Sequence, residues 1–298
     1  MTFRAGEVAV VGRPNAGKST LVNRLVGEKV AIVSDKPQTT RKRILGIARR
    51  EGAEIALVDT PGIHRPEHRM NSAMVRDATD ALATSDLVLW VVDAADRRGK
   101  GEEFLLRLLA RAEKPAILAL NKTDLVDKPA LLPMLAGFSA RFPFRDIVPI
   151  SAATGDGVER LASLLAQALP ERAAAYPDDF LTSTPESEWI GEVIREKLLE
   201  RTREELPFAS AVLVESVRED PARNLTITVA SIVVEREGQK GILVGRGGSM
   251  IREIGTAARL ELEARSGRRH FLELTVRVRR DWREDEQFLS RLVGRGSE

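Results

Sequence analysis

The 298-residue sequence contains no cysteine, so disulfide bonds and thiolate-ligated metal sites are excluded and a reducing compartment is natural for the chain. It also lacks a long hydrophobic run. The longest apolar stretch, Leu87 to Val92, is far shorter than the roughly 20 residues that a membrane-spanning helix needs. The first seven residues hold no apolar signal core. We therefore expect a cytoplasmic protein, and peripheral contact with the inner face of the cell membrane stays open.

The composition is that of an ordinary globular chain, with 43% hydrophobic and 30% charged residues, and the length suits about two domains. A net charge of +2 indicates little by itself, but the charge is unevenly distributed. Between residues 240 and 283, eleven basic residues stand against five acidic ones. This local excess predicts either a patch for an anionic partner or a solvated surface of mixed charge.

The most specific motif is a phosphate-binding loop of the pattern G-x-x-x-x-G-K-[ST]. It consists of Gly12, Arg13, Pro14, Asn15, Ala16, Gly17, Lys18 and Ser19, and Thr20 continues into a helical segment. An apolar strand at residues 7–11 precedes the loop, which gives the strand–loop–helix context that the motif requires. The pattern predicts that Lys18 reaches the β- and γ-phosphates of a nucleotide and that Ser19 ligates Mg²⁺.

Two further motifs follow apolar strands, at the edge where open α/β sheets bind ligands. After the strand at 55–58 comes D-x-x-G, made of Asp59, Thr60, Pro61 and Gly62. After the strand at 116–120 comes N-K-x-D, made of Asn121, Lys122, Thr123 and Asp124. Asp59 can hold Mg²⁺, usually through water, and Gly62 can offer its N–H to the γ-phosphate. Asp124 can accept two hydrogen bonds that guanine donates and adenine does not, and a buried carboxylate without them is costly, so guanine specificity is predicted.

Two less specific segments complete the nucleotide site. The polar segment Gln38 to Arg41 is predicted to close over the metal ion and the γ-phosphate and to be released after hydrolysis. Either Thr39 or Thr40 can be the metal ligand there, and we favour Thr40. After the last strand of the first domain, a backbone N–H of Ser151, Ala152 or Ala153 is expected to contact the guanine carbonyl oxygen. Asn121 is expected to brace the neighbouring loops.

The order of strand and helix patterns predicts two domains. The alternation of strand and helix patterns over residues 1–172 predicts a doubly wound α/β domain with a mostly parallel sheet. Residues 43–50 and 53–58 flank the turn signal Glu51-Gly52, which predicts a hairpin with one antiparallel strand. Residues 173–185 contain several prolines and little periodicity, and we interpret them as a linker. Residues 186–298 follow the order α-β-β-α-α-β, typical of an α+β domain.

A G-x-x-G turn joins two helical segments of the second domain and consists of Gly245, Arg246, Gly247 and Gly248. In a KH domain such a loop clamps about four nucleotides of single-stranded RNA. The motif alone is weak, since many helix–helix joints look similar, and a structural joint is the other interpretation. The element order and the basic surroundings favour a type II KH domain that binds RNA. We expect Lys240 and Arg252 to contribute to this interface.

The nucleotide motifs resemble those of translation-factor-related GTPases, and residues 12–19, 36–41 and 59–64 look like the Era family of bacterial GTPases. The resemblance covers almost the whole chain, because the second domain also fits. It implies GTP hydrolysis with Mg²⁺, assembly of the small (30S) ribosomal subunit, and 16S rRNA near its 3′ end as partner. It also implies that Arg280, Trp282 and Arg283, at the end of the KH domain, lie near the RNA or the ribosome. We expect a monomer.

One position departs from many small GTPases, because Ile63 stands where they place a glutamine that orients the attacking water. Water positioning must then come from another group. Asn15 matches the position that ligates K⁺ in related potassium-stimulated GTPases. A K⁺ ion beside the β–γ bridge would supply the charge that an arginine finger otherwise gives. The other interpretation is that Asn15 only stabilises the loop.

Two other functions fit part of the sequence. A potassium-dependent GTPase of tRNA modification has a similar phosphate loop and Thr-Thr-Arg segment, but it predicts a helical partner-binding domain or a C-terminal cysteine, and the sequence has neither pattern. An RNA-binding module whose nucleotide domain is a static scaffold is the second. The intact Lys18, Ser19, Thr40 and Asp59 argue against it.

Overall fold

A computed structural model describes residues 2–36, 38–62, 69–96 and 101–292. The described residues up to 183, apart from residues 69 and 70, form one compact unit, and the described residues from 184 onward belong to a second. Pro37 and Ile63, which the sequence analysis singled out within motifs, lie outside the described residues. No helix in the described part of the chain is long and apolar enough to cross a membrane.

The first unit is built around a six-stranded sheet in the order β2-β3-β1-β4-β5-β6. Its strands are β1 (Arg4–Gly12), β2 (Ile44–Arg50), β3 (Ala53–Asp59), β4 (Leu87–Asp93), β5 (Ala116–Asn121) and β6 (Asp146–Pro149). Its helices are α1 (Lys18–Val26), α2 (Arg69–Thr84), α3 (Glu102–Ala112), α4 (Lys128–Arg141) and α5 (Val158–Ala168). Among these six strands, β2 and β3 pair antiparallel as a hairpin and the other neighbours pair parallel, so the predicted hairpin and mostly parallel sheet are confirmed.

Helices cover both faces of the sheet, so the side chains on both sides of its central strands are buried. This explains why these strands appear in the sequence as continuous apolar runs. Val8 and Val10 belong to one buried cluster, while Ala9 and Val11, their neighbours along β1, belong to another. Successive side chains of a strand point to opposite faces, so both faces of β1 are buried. The loops after β1, β3 and β5 leave the sheet at the same edge, since these strands are parallel.

The first part of the segment that the sequence analysis interpreted as a linker lies against the β2–β3 hairpin at the edge of the sheet. The N–H of Ile47 donates to Leu181 O at 2.9 Å, and the guanidinium of Arg49 donates to Phe180 O at 2.9 Å. Tyr176 and Phe180 stack with their ring centroids 5.1 Å apart. The linker bounds stay a prediction, but residues up to 183 pack with the first unit.

The second unit has a three-stranded sheet in the order β7-β8-β9, with β8 antiparallel to β7 and parallel to β9. The strands are β7 (Ser210–Asp220), β8 (Leu225–Val234) and β9 (Arg269–Val278). The helices are α6 (Glu186–Arg201), α7 (Leu206–Ala209), α8 (Glu237–Val244), α9 (Ser249–Ser266) and α10 (Glu286–Leu292). Apart from the short α7 and the terminal α10, this is the predicted α-β-β-α-α-β order of a type II KH domain.

Candidate nucleotide site and nucleic-acid interface

The phosphate loop joins β1 to α1 and holds Lys18 in a buried position. The Lys18 ammonium donates to Gly12 O at 3.3 Å and to Arg13 O at 3.0 Å, and the residue is only 5% exposed. Burial lowers the pKa of Lys18 to about 8, and the nearby carboxylate of Asp59 opposes this shift. The buried ammonium is therefore held at a position where the negative charge of a bound phosphate would offset the free-energy cost of its desolvation.

Two other residues fix the shape of the phosphate loop. Gly17 has a left-handed φ of 90°, and a Cβ there would lie 2.3 Å from Asn121 Nδ2, so only glycine fits. The guanidinium of Arg13 pairs with Asp96 at 2.7 Å. Since this pair ties the loop to the segment after β4, Arg13 is engaged as a brace and is not available as an arginine finger.

Three oxygen-bearing side chains converge beside Lys18. Ser19 Oγ donates to Asp59 Oδ2 at 2.7 Å and lies 2.8 Å from Thr40 Oγ1, which is 3.3 Å from the same carboxylate oxygen. Asp59 is fully buried, and its other oxygen, Oδ1, has no hydrogen-bond partner among the described residues. Burial raises the pKa of Asp59, opposed first by Lys18 and then by the hydrogen bonds from Ser19 and Thr40.

This oxygen cluster fits a magnesium ion. Mg²⁺ prefers oxygen ligands in an octahedron with bonds of about 2.0–2.1 Å, which places neighbouring ligands roughly 2.9 Å apart. The 2.8 Å between Ser19 Oγ and Thr40 Oγ1 matches that spacing, and the carboxylate of Asp59 lies within 3.3 Å of both hydroxyls, where it could hold a water molecule bound to the ion. Thr39, by contrast, donates its hydroxyl to Lys36 O at 2.6 Å. The geometry therefore favours Thr40 over Thr39 as the residue of this segment that approaches the cluster.

The D-x-x-G segment packs directly on the phosphate loop. The hydroxyl of Thr60 donates to Val10 O at 2.8 Å in a buried position, which anchors the segment to β1. A Cβ at Gly62 would lie 2.7 Å from the backbone of Pro14, so glycine is required for this close approach. A cavity of about 330 Å³ lies at this edge. Its lining includes Pro14, Asn15, Gly17, Lys18, Ser19, Thr20, Gln38, Thr39, Thr40, Gly62 and Lys122.

At the other end of the site, Asn121 connects two loops, as the sequence analysis expected. Its Nδ2 donates to Ala16 O at 2.8 Å, and its Oδ1 accepts the N–H of Ala152 at 2.8 Å. The residue is 2% exposed. Because both polar ends of one buried amide are satisfied, the phosphate loop and the Ser151–Ala153 loop are held in a fixed relation.

The remaining N-K-x-D residues surround the place where a base would lie. Lys122 adopts a left-handed φ of 65°, and its ammonium pairs with Asp93 at 2.6 Å. Thr123 donates its hydroxyl to Ile150 O at 2.9 Å. Asp124 is exposed, so the protein itself does not cover its carboxylate. Asp124 would therefore discriminate between guanine and adenine once a bound base covers its carboxylate and displaces the water around it.

The motif analysis missed one side chain at this site. Arg24 of α1 donates from its guanidinium to Ala152 O and to Ala153 O, both at 2.6 Å. An arginine in the last turn of a helix belongs to no spacing pattern. Only the tertiary structure, which brings α1 beside the loop after β6, makes it visible.

In the second unit, the G-x-x-G turn joins α8 to α9. Gly245 has a φ of 71°, and a Cβ there would lie 2.8 Å from Met250 N, so its role includes the tight joint itself. Gly247 (φ 59°) and Gly248 (φ 80°) have no atoms within 4 Å of a Cβ position. Arg246 and Gly247 are exposed. The turn thus presents open backbone on its outer side, where another chain can approach closely.

The structure shows that only some of the basic residues between 240 and 283 are available to bind an anionic ligand. Several of the eleven basic residues between 240 and 283 are engaged by acidic partners: Arg259 with Glu263, Arg268 with Glu219, Arg277 with Glu215, Arg279 with Asp285, and Arg283 with Glu235. Arg265 lies over the ring of Trp189 at 4.0 Å. Arg246, Arg252 and Arg280 are exposed, and Lys240 is partly exposed. Arg269, at the start of β9, is exposed as well. Three of these five available cations, Lys240, Arg246 and Arg252, lie in the G-x-x-G turn or within five residues of it in the sequence.

One predicted RNA contact is wrong. Trp282 is fully buried, its indole N–H donates to Ala209 O at 3.0 Å, and its ring packs edge-on against Phe288. A side chain without exposed surface cannot stack on a base. Trp282 instead anchors the chain after β9, and Arg283 pairs with Glu235 at 2.6 Å. Of the expected terminal contacts, only Arg280 is exposed without an observed acidic partner in the described part of the chain.

The fold and the two sites define a P-loop GTPase joined to a type II KH domain. Residues 7–122 match the family described as 50S ribosome-binding GTPase, and residues 206–283 match the KH domain family. The chain is 50% identical over 290 residues to the GTPase Era of Geobacter metallireducens, with 97% of each chain covered. It is 46% identical to that of Geotalea daltonii, with 96% of each covered. The chain therefore belongs to the Era family of GTPases.

Comparison with solved structures leads to the same family. An Era bound to MgGDPNP and nucleotides 1506–1542 of 16S ribosomal RNA is 37% identical, with a TM-score of 0.94 over 98% of this chain and 99% of that one. A single-residue variant of Aquifex aeolicus Era bound to GDP and AlF4⁻ has a TM-score of 0.93 at 37% identity, with the same coverage. The predicted fold class and family resemblance are both confirmed.

Proposed function

We propose that this protein binds and hydrolyses GTP and that its KH domain binds 16S rRNA near the 3′ end during assembly of the small ribosomal subunit. The observation that carries the proposal is the similarity along nearly the whole chain to an Era solved with a GTP analogue and a fragment of that RNA. The two sites described above agree with it, since one suits a guanine nucleotide and the other an RNA backbone.

The nucleotide would be held at both ends. Lys18, buried and with a lowered pKa, would neutralise the β- and γ-phosphates. Asp124 would accept two hydrogen bonds from guanine, and the loop at Ser151–Ala153 would donate to its carbonyl oxygen. Ser19, Thr40 and Asp59 would hold Mg²⁺, Asp59 through water. The ion supplies positive charge against the charge that develops on the leaving phosphate.

Guanine specificity is the direct test of the nucleotide assignment. We expect the unmodified protein to bind GTP far more tightly than ATP in calorimetry, since adenine lacks the two donors that Asp124 requires. Asp124→Asn should weaken GTP binding and favour XTP, because its amide donates to the 2-oxo group of xanthine. Comparable affinities for ATP and GTP in the unmodified protein would contradict the assignment.

RNA binding is proposed for the G-x-x-G turn and its surroundings. Gly245, Arg246, Gly247 and Gly248 would clamp the sugar–phosphate backbone, with Lys240, Arg252 and Arg280 adding charge. Clamping about four nucleotides should give a log–log salt slope on the order of −2 to −3. Anisotropy of a labelled 3′-end fragment of 16S rRNA across KCl concentrations measures it, and a slope near zero would contradict a phosphate clamp.

We further propose that potassium accelerates hydrolysis through Asn15. The Nδ2 of Asn15 donates to Asp35 O at 2.6 Å, which leaves its Oδ1 as the atom that would bind a cation at the edge of the nucleotide cavity. Turnover in KCl should then exceed turnover in NaCl at equal ionic strength, and Asn15→Ala should remove the difference. Equal rates in the two salts would contradict the potassium role and leave the GTPase assignment standing.

Location and assembly complete the proposal. The protein would act as a cytoplasmic monomer that binds the 30S subunit, with contact at the inner face of the membrane limited to peripheral binding. Sedimentation of the free protein, and co-sedimentation with 30S subunits and with anionic vesicles, tests these three statements separately.

A further inference from the structure

A single arginine joins the helix of the phosphate loop to the loop that the proposed function assigns to guanine. Arg24 lies six residues after Lys18, about 9 Å further along α1. Its Nε donates to Ala152 O and its second terminal nitrogen to Ala153 O, each at 2.6 Å. We propose that Arg24 is a positioning residue for guanine recognition, which fixes the 152–153 peptide so that the N–H of Ala153 faces the O6 of the base.

The hydrogen bonds within this loop single out the N–H of Ala153. The neighbouring backbone donors already have protein acceptors: Ser151 N to Asp156 O, Ala152 N to Asn121 Oδ1, Thr154 N to Ser151 Oγ, and Gly155 N to Ser151 O, at 2.8 to 3.1 Å. Between residues 151 and 155, the N–H of Ala153 is the donor without an acceptor among the described residues, and the residue is exposed. It is therefore the donor that a ligand carbonyl can reach.

Peptide geometry explains how Arg24 acts through this N–H. In a trans peptide, the carbonyl and the N–H of the same unit point in opposite directions. Because Ala152 O is held by Arg24 Nε, the N–H of Ala153 must point away from the guanidinium. A charge-assisted hydrogen bond to the carbonyl also polarises the peptide and strengthens the donor at its other end.

The loop leaves space for the guanidinium. Gly155 has a left-handed φ of 95°, and a Cβ at this residue would lie 2.9 Å from a terminal nitrogen of Arg24. Glycine is thus the residue that allows both the backbone conformation and the close approach of the arginine. The turn and the side chain fit each other, which a solvated surface arginine would not require.

Base analogues separate this role from general support of the fold. We expect Arg24→Ala to weaken binding of GTP and ITP alike, by roughly three- to tenfold, which corresponds to one neutral hydrogen bond. Both bases carry O6, so the GTP-to-ITP ratio should stay constant, whereas Asp124→Asn should change it. Binding of 6-thio-GTP, whose sulfur accepts only weakly, should change less than twofold. Arg24→Lys, which keeps the charge and a single donor nitrogen, should recover part of the loss.

Arg4→Ala is the matched control. Arg4 also donates to backbone carbonyls of the first unit, those of Leu169 at 2.6 Å and Gln167 at 3.3 Å, but it lies at the start of β1, away from the loop after β6. Its removal should leave the affinity for all three nucleotides unchanged. Equal losses for GTP and 6-thio-GTP in Arg24→Ala, or no loss for either, would overturn the positioning role. The inference rests on the proposed function, whose own failure would appear separately, as equal binding of ATP and GTP by the unmodified protein.

Discussion

The two candidate sites of this chain are built in opposite ways. At the nucleotide site, Lys18, Asp59 and Asn121 are buried and hydrogen-bonded within the protein itself. At the G-x-x-G turn, Arg246 and Gly247 are exposed, and open space surrounds Gly247 and Gly248. The first site is a preformed cavity with fixed polar groups, and the second is an open stretch of backbone with exposed cations around it.

This difference sets what a substitution should do in each region. A buried group is desolvated and has specific partners, so its replacement changes ligand binding and the local structure together. An exposed glycine or arginine has few partners in the free protein, so its replacement should change ligand binding with little effect on folding. Variants in the two regions should therefore affect nucleotide turnover and RNA binding separately. The following experiments test that expectation.

The largest effect is expected for Lys18→Met. It removes the charge that would face the β- and γ-phosphates, and loss of such a preorganised contact lowers turnover by about 10²–10³-fold. Because burial lowers the pKa of Lys18 to about 8, below its value in the unfolded chain, the charged ammonium destabilises the nucleotide-free fold at neutral pH. Urea stability without nucleotide should therefore be equal or higher in Lys18→Met, while stabilisation by added GTP should disappear. Turnover within tenfold of the unmodified protein would contradict the role of Lys18.

An intermediate effect is expected for Gly247→Asp at the other site. The carboxylate would block and repel the sugar–phosphate backbone, and affinity for the 3′-end RNA fragment should fall about ten- to hundredfold. Asp tolerates the left-handed φ of 59°, and no neighbouring atom opposes its Cβ, so the domain should fold. GTP turnover without RNA should stay within twofold.

Gly247→Asn is the control that separates charge from size, because it has nearly the same volume and tolerates the same backbone. It should weaken RNA binding less than the aspartate does. If Gly247→Asp remains folded by circular dichroism and binds the fragment as tightly as the unmodified protein, the turn is a structural joint and the RNA site lies elsewhere.

The sequence predicted where the nucleotide motifs meet, because these motifs combine fixed spacing with the ends of strands. Parallel strands bring the residues after Val11, Val58 and Leu120 to one edge of the sheet, so the three motifs meet there by topology alone. The same reasoning located the hairpin, since Glu51-Gly52 separates two apolar runs. Spacing alone could not separate Thr39 from Thr40, although Thr40 was favoured, because they are neighbours in sequence and only the path of the chain turns one of them towards Asp59.

The errors arose where tertiary packing decides the role of a side chain. The family resemblance placed Trp282 near the RNA, but its indole is fully buried and donates to Ala209 O of α7. The exposure of Asp124 is a feature of the same kind, because the strand end that positions its carboxylate does not also cover it. Arg24 carried no signal, because its partners are backbone carbonyls more than 120 residues away in sequence. Spacing patterns do not encode contacts of this kind.

The smallest predicted effect compares two arginines of one helix. Arg252 and Arg259 lie seven residues apart on α9, about two turns. Arg252 is exposed near the G-x-x-G turn, whereas Arg259 pairs with Glu263 at 3.0 Å. If available charge, and not the number of basic residues, makes the RNA surface, then Arg252→Ala should weaken binding of the 3′-end fragment about three- to fivefold and Arg259→Ala should not. The log–log salt slope should become shallower by about 0.7 in the first variant, since one phosphate contact releases that many counterions from a single strand. Titrations of both variants at several KCl concentrations measure affinity and slope together. Equal losses in the two variants would mean that RNA breaks the Arg259–Glu263 pair, and that the ion pairs of the free protein do not mark the limits of its RNA surface.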